Sequence, residues 1–321
     1  MSITVIQPGY DLTEAGLVSQ KTGEVKETVT FFVERGSYVV TPEQQIQRQR
    51  AREEREHRTI ERGGKRKEKF VFVDANTSFE DISPAMVTRL IYLSTYAAYK
   101  EKRTKESVRA DLGNPLIKEG GHLKRKDIAG VLQLSERSAA NFLKEVCPEY
   151  IQEDSGGFLY LNSRFFTRGG LKKKCFKRYQ QIYTIGVRRL YEASRGKNHK
   201  QLGYVFMMIP FINIEHNILC WNPEEKDKEK VVPMTPKEFC SEIGGSYPNL
   251  SRLMNVYRSI QFDVCGRKEH FCKLICNWND QRNAKICINP AVIYAGAENN
   301  RLEITRLYFM DKCEKEYSKH Q

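Results

Sequence analysis

The chain has 321 residues, a formal net charge of +13 and a pI near 9.2, and its 40% of apolar residues suffices for two domain cores. No stretch approaches the ~18 to 20 consecutive apolar residues of a membrane span, and the N-terminus lacks the apolar segment of a secretory signal. The expectation is therefore a cytoplasmic, nucleoid-associated protein with no membrane partner, whose positive charge faces a polyanion.

In chain order, Thr28 to Val33 and Tyr38 to Val40 are β-prone and predict an edge hairpin or strands that pair with a second subunit. Gln44 to Lys69 is almost wholly Gln, Arg, Glu and Lys, so a helix there would have no face to bury, and the segment reads as a mobile charged arm that orders on DNA, with a charged helix standing in solvent as the alternative. Ser83 to Tyr99 is too apolar for solvent and predicts a core helix. Leu123 to Val146 then carries two short helical periods, Lys126 to Leu132 and a longer one capped by Ser135 with Ala139, Phe142, Leu143 and Val146 on one face. Tyr150 to Leu161, turning at Asp154-Ser155-Gly156-Gly157, predicts a β-hairpin.

From Arg168 to Lys200 there are eleven Lys and Arg against one acid, Glu192, interleaved with Phe176, Tyr179, Tyr183 and Tyr191. That pattern suits a partly helical joint with aromatics inward and cations along phosphates, beside the plainer reading of a solvated basic linker. A second core helix is expected over Gln201 to Ile212. Next, Thr235-Pro236-Lys237-Glu238 starts a helix with a hydroxyl cap, a proline in the first turn and a carboxylate three residues on. Gly244 and Gly245 break it, and a further helix carries Leu250, Leu253, Met254 and Tyr257. Strands follow over Ser259 to Val264, His270 to Trp278 and Ala284 to Ile288.

These elements form a repeat. Leu123 to Val146 lies on Met234 to Tyr257 without a gap at an offset of 111, with Ile128 on Phe239, Leu132 on Ile243, Leu143 on Met254 and Asp127 on Glu238. Leu161 to Gly169 and Ile288 to Gly296 close the two copies at an offset of 127, so 16 extra residues enter the second copy, as one more strand or a longer hairpin tip. The expected fold is α+β, mainly helical, with two tandem winged helix-turn-helix units. The boundaries are 1–68 for the arm, 69–170 for the first unit, 171–200 for the basic joint, 201–300 for the second unit and 301–321 for a C-terminal helix or tail.

In a bihelical reader the second helix enters the major groove, its exposed polar positions meeting bases and its basic flanks holding phosphates. The base-reading candidates are Glu136, Arg137, Ser138 and Asn141 in the first copy and Tyr247, Asn249, Ser251, Arg252 and Asn255 in the second. Arg137 and Arg252 are foremost because arginine pairs bidentately with guanine. The phosphate candidates are Lys124, Arg125, Lys126 and Lys144, the joint residues Lys172, Lys173, Lys174, Lys177, Arg178, Arg188 and Arg189, and Arg267, Lys268 and Arg282 of the second wing. The first wing, with Glu149, Glu153 and Asp154, would repel phosphate unless it faces away.

Of nine cysteines, Cys265, Cys272, Cys276 and Cys287 cluster near His270, but six, three and ten intervening residues fit no common zinc pattern. Their strand positions suit small buried hydrophobes, with a redox pair as the alternative. No Gly-x-x-x-x-Gly-Lys-Ser/Thr run occurs, and the six histidines form no His-x-His pair. The expectation is a binding protein, not an enzyme, without metal or cofactor.

Thr22-Gly23-Glu24-Val25, then Lys69-Phe70-Val71-Phe72-Val73, the bihelical block, and Gly157-x-Leu-x-Leu-Asn162 followed by Arg168-Gly169 resemble the winged-helix replication proteins of small Gram-positive plasmids and the MarR-like regulators of phages and plasmids. The resemblance covers residues 20 to 170 and departs in the second unit, through which one chain imitates a dimer. It implies double-stranded DNA as partner, with a homodimer and a host polymerase or replication protein as further partners. The leading role is a transcriptional regulator of a mobile element; alternatives are a replication initiator at origin repeats and an architectural or segregation protein.

Overall fold

The computed structural model describes residues 10–13, 16–19, 25–26, 69–99, 113–118, 121–169, 178–194, 196–244, 250–264, 267–277, 280–296, 301 and 303–309. The chain divides into two units, Met1–Lys67 and Glu68–Gln321. In the first, β1 (Tyr10–Thr13), β2 (Gly16–Ser19) and β3 (Val25–Lys26) form an antiparallel meander. The hairpin expected at Thr28 to Val40 and the charged arm to Glu68 lie outside the described residues.

The second unit, an α+β mix, opens with β4 (Phe70–Asp74) and α1 (Pro84–Ser94). After β5 (Asn114–Pro115), β6 (Ile117–Lys118) and β7 (Gly121–His122) come α2 (Ile128–Leu132) and α3 (Glu136–Val146), then the hairpin β8 (Ile151–Glu153) and β9 (Leu159–Leu161), and β10 (Phe166–Thr167). The second half runs β11 (Tyr179–Tyr183), α4 (Thr184–Ser194), α5 (His199–Met207), α6 (Pro236–Glu242) and α7 (Leu250–Ser259). It ends with β12 (Gln261–Val264), β13 (Arg267–His270), β14 (Cys272–Asn277), β15 (Asp280–Ile288) and β16 (Ile293–Tyr294).

Hydrogen bonds repeat between the halves as faithfully as residues do. Asp127 accepts from the Lys124 amide at 2.8 Å, and Glu238, 111 residues on, accepts from the Thr235 amide at 2.7 Å, so each block starts on the same carboxylate cap. The turn after each first helix passes through a left-handed residue, Gln133 at φ 52° and Gly244 at φ 66°, again 111 apart. Asn162 donates from its side chain to the Glu149 carbonyl while its oxygen accepts from the Arg164 amide; Asn289 does the same with His270 and Ala291. The amides of Phe166 and Ile293 return to the Asn162 and Asn289 carbonyls.

This matching locates the 16 extra residues. The offset is 111 through the bihelical block, 121 where the Asn162 amide donates to Tyr150 and the Asn289 amide to Phe271, and 127 at the asparagines themselves. Ten residues therefore enter before the hairpin and six at its tip. The ten are the separate hairpin β12–β13, packed on α4, and the six lengthen β14–β15. The alternative left open by the sequence, another strand or a longer tip, resolves as both.

The halves meet about an approximate two-fold axis. One sheet has the order β10-β4-β11-β16, with β4 and β11 antiparallel at its centre and each half's closing strand beside its opening one. Phe166 pairs with Val73 and Ile293 with Ile182; Thr167 pairs with Phe72 and Tyr294 with Gln181. Phe72 thus corresponds to Gln181, and these two pair with each other, so the axis runs through them. It also runs between α1 and α5. These helices match at their own offset of 115, with Val87 on Leu202, Leu90 on Val205 and Ile91 on Phe206. The Thr88 hydroxyl donates to the His199 carbonyl at 2.7 Å, and at that offset its image is the approach of Gly203 to Pro84, where a Cβ on Gly203 would lie 1.7 Å from the Pro84 oxygen.

Residues 171–200 are accordingly not a joint throughout. Tyr179–Tyr183 is a central strand and Thr184–Ser194 a core helix, with Ile182, Val187 and Leu190 in the hydrophobic core shared by both halves. Interleaved aromatics and cations describe an amphipathic core element as well as a phosphate-lining one, and here burial won. The C-terminal segment is helical at Arg301 and over 303–309 and packs on this region, with Ile304 and Phe309 in one cluster with Tyr183 and Arg301 lying 3.7 Å over the Tyr183 ring.

His199, at the start of α5, is 2% exposed, stacks on Tyr191 with 4.3 Å between ring centroids, and has no hydrogen-bond partner at either ring nitrogen. Burial, and then the nearby Arg89 charge, depress its pKa from 6.5 to about 4. The unfolded chain therefore binds a proton as pH falls below 6.5 while the folded one does not until about 4, and stability drops across that window. His199→Phe, which keeps the stacking, is expected to remove on the order of 2 to 3 kcal/mol of that loss. Urea midpoints of both proteins from pH 4 to 7 check this, and parallel profiles would refute it.

Candidate nucleic-acid interface

In both halves the second helix of the pair divides cleanly. Ala139, Phe142, Leu143 and Val146 of α3 are buried, as are Leu253, Met254 and Tyr257 of α7. Opposite them, Glu136, Arg137, Asn141 and Lys144 are exposed on α3, and Ser251, Arg252 and Asn255 on α7. Ser138 is the exception. Its amide donates to the Ser135 hydroxyl at 3.3 Å and its hydroxyl lies 3.0 Å from the same group, so it belongs to the helix cap. Tyr247 and Asn249 lie outside the described residues.

The 111-residue offset pairs Asn141 with Arg252, Lys144 with Asn255 and Ala140 with Ser251. Arg137 falls on Pro248, so the two arginines singled out from the sequence do not occupy equivalent positions. Charge ranking by residue type alone missed this.

Several expected phosphate contacts are committed elsewhere. Arg125 donates from Nε to Glu153 at 2.6 Å, an ion pair that holds its charge more firmly and uses the hairpin's acid. Asp154 accepts from the Gly156 and Phe158 amides at 2.9 Å, so it closes the turn. Lys124 lies 4.5 Å over the Phe158 ring. Lys126 and Lys144 are exposed.

Arg178 and Arg188 depart from expectation most. Arg178 donates to the Ala75 and Pro210 carbonyls at 3.2 and 2.8 Å and has 14% side-chain exposure. Arg188 donates to the Thr95 hydroxyl and carbonyl at 3.0 and 3.1 Å and lies 4.2 Å over the Tyr96 ring, capping the C-terminal end of α1. A long side chain with five donors can satisfy buried carbonyls as well as phosphates, and sequence does not separate the two uses. Arg189 is half-buried on the same helix.

Lys172, Lys173, Lys174 and Lys177 lie outside the described residues, as do the side chains of Arg267 and Arg282. Arg267 and Lys268 are on the inserted hairpin β12–β13, not on β14–β15, the equivalent of β8–β9, and Lys268 is ion-paired with Asp263. Arg282 alone of the three stands on β15 of that equivalent.

Among the described residues no group of three or more His, Cys, Asp or Glu could hold a metal ion. Cys272 and Cys287 are buried, and burial pushes the Cys272 thiol up to about 12 and raises Cys287 as well, so both behave as small hydrophobes. Cys265 and the Cys276 side chain lie outside the described residues. His216 is tied by its backbone amide to Asn213 and by its ring to the Lys226 carbonyl at 3.1 Å.

Compared with protein-family models, curated proteins and solved structures, the chain shows no match. No helix among the described residues is long and apolar enough to cross a membrane.

Proposed function

We propose that the chain is a sequence-specific double-stranded DNA-binding protein with no catalytic site, in which residues 69–168 and 178–296 are two winged helix-turn-helix units. The supporting observation is that α3 and α7, second helices of two matched bihelical blocks, each bury one face and expose a polar one, with Glu136, Arg137, Asn141, Lys144 and Glu145 on α3 and Ser251, Arg252 and Asn255 on α7. A solvated surface helix needs no such duplication of cap, turn and hairpin. The net charge of +13 supplies the long-range attraction. Its role in this reading is a transcriptional regulator of a phage or plasmid, occupying operator sites in the nucleoid.

Genome-wide mapping of the tagged protein in its host tests the role. Sharp peaks at promoters support a regulator; one cluster of repeats beside an AT-rich tract would make it an initiator, and a long array an architectural protein. With the basic run 172–174 intact, affinity is expected to fall steeply with salt. Replacing Lys172, Lys173 and Lys174 by alanine should lower the slope of log affinity against log salt by about 2 to 3 while leaving the preferred sequence unchanged. An unchanged slope in titrations from 50 to 300 mM salt would remove these lysines from the interface.

A further inference from the structure

We propose that a single chain reads an inverted pair of unlike half-sites, an inference that rests on the DNA-binding reading above and goes beyond it in fixing the orientation and chemistry of the target. The orientation follows from the axis. Two units strung along a chain can be related by a translation, as in a solenoid, or by a rotation. Here the pairing of Phe72 with Gln181, the matched outer strands, and the mirrored contacts of Thr88 with His199 and Gly203 with Pro84 all belong to one two-fold rotation.

A two-fold rotation leaves height along its axis unchanged. The exposed faces of α3 and α7 therefore stand at one level and incline equally to the axis, as in a symmetric dimer. A duplex has local dyads perpendicular to its own axis, and a reader with two-fold-related helices meets it with its half-sites running in opposite directions. A translational tandem would meet direct repeats.

The chemistry of the two faces is different. Asn141 and Arg252 occupy equivalent exposed positions, 111 residues apart. Asparagine pairs bidentately with the N6 and N7 edge of adenine, arginine with O6 and N7 of guanine. Lys144 opposite Asn255 adds a cation on the first face only. The target is thus palindromic in geometry but not in sequence, with adenine in the first half where the second carries guanine. The inserted hairpin β12–β13 and the longer β14–β15 tip, present only in the second half, extend the asymmetry.

The experiment uses the purified full chain. Bound duplexes are selected from a random pool, and the two half-sites so found are rebuilt in inverted order, in direct order and singly. The inverted arrangement is expected to bind at least tenfold more tightly than the direct one, with one chain per duplex by native mass spectrometry. The direct arrangement should match a single half-site. Asn141→Arg should change the preferred base from adenine to guanine in one half only, and Arg252→Asn should change the other half in the opposite sense.

Equal affinity for direct and inverted arrangements, or one chain per half-site, would overturn the inference and leave sequence-specific DNA binding standing. Selection of no preferred sequence would overturn both. Because both side chains are exposed, the variants should melt with the wild-type chain.

Discussion

Gly203→Ala is expected to destabilise the second unit by about 3 kcal/mol or more, among the larger effects a single methyl group can have. The added Cβ would lie 1.7 Å from the Pro84 oxygen and 2.3 Å from its carbon, both backbone atoms at the N-terminal end of α1. No rotamer change relieves that contact, so α1 and α5 must separate. They cross on the two-fold axis, where Val87 and Leu90 of one and Leu202 and Phe206 of the other belong to the core common to both halves. Opening the crossing therefore costs packing on both sides.

Gly130→Ala is the matched control. Gly130 is exposed on α2 and a Cβ there meets nothing within 4 Å, so alanine should leave stability unchanged or raise it by up to about 1 kcal/mol. Thermal and urea unfolding by circular dichroism separate the two. Melting of Gly203→Ala at the wild-type midpoint would mean that α1 and α5 do not approach as described.

The second large effect concerns recognition. Arg252→Ala is expected to lower discrimination at a single base pair by about 1 to 3 kcal/mol, roughly 5- to 150-fold, with little change in the salt slope. Lys144→Ala should do the opposite, weakening binding evenly across sequences and reducing the slope by about one. The contrast comes from geometry. A bidentate guanidinium matches one base edge, whereas an ammonium meets any phosphate. Competition binding against a panel of single-base variants at two salt concentrations measures both quantities. If Arg252→Ala lost affinity evenly over the panel, that arginine would be a backbone contact, and α7 would no longer be the reading helix.

Much of the local architecture was legible in the amino-acid order because it depends on neighbours a few residues apart. Carboxylates three residues after Lys124 and Thr235, a hydroxyl at Ser135, and apolar residues at helical spacing dictate where helices begin and which face they bury. The repeat too was visible, since both copies must solve the same capping and packing problem. Even the size of the insertion was readable, though not its division into a ten-residue hairpin and a six-residue tip.

What the tertiary structure alone decided is how the copies meet and which cations are spent inside. Strand pairing between β4 and β11 joins residues more than 100 positions apart, and nothing local in Phe70–Asp74 or Tyr179–Tyr183 specifies that partner. Arg178 and Arg188 read as surface charge because charge is what their residue type advertises. Their guanidinium groups instead satisfy carbonyls of Ala75, Pro210 and Thr95 that the fold leaves without helix or sheet partners. The demand for those hydrogen bonds arises only when distant segments are brought together, which is why sequence order determined the elements and long-range packing determined the axis between them.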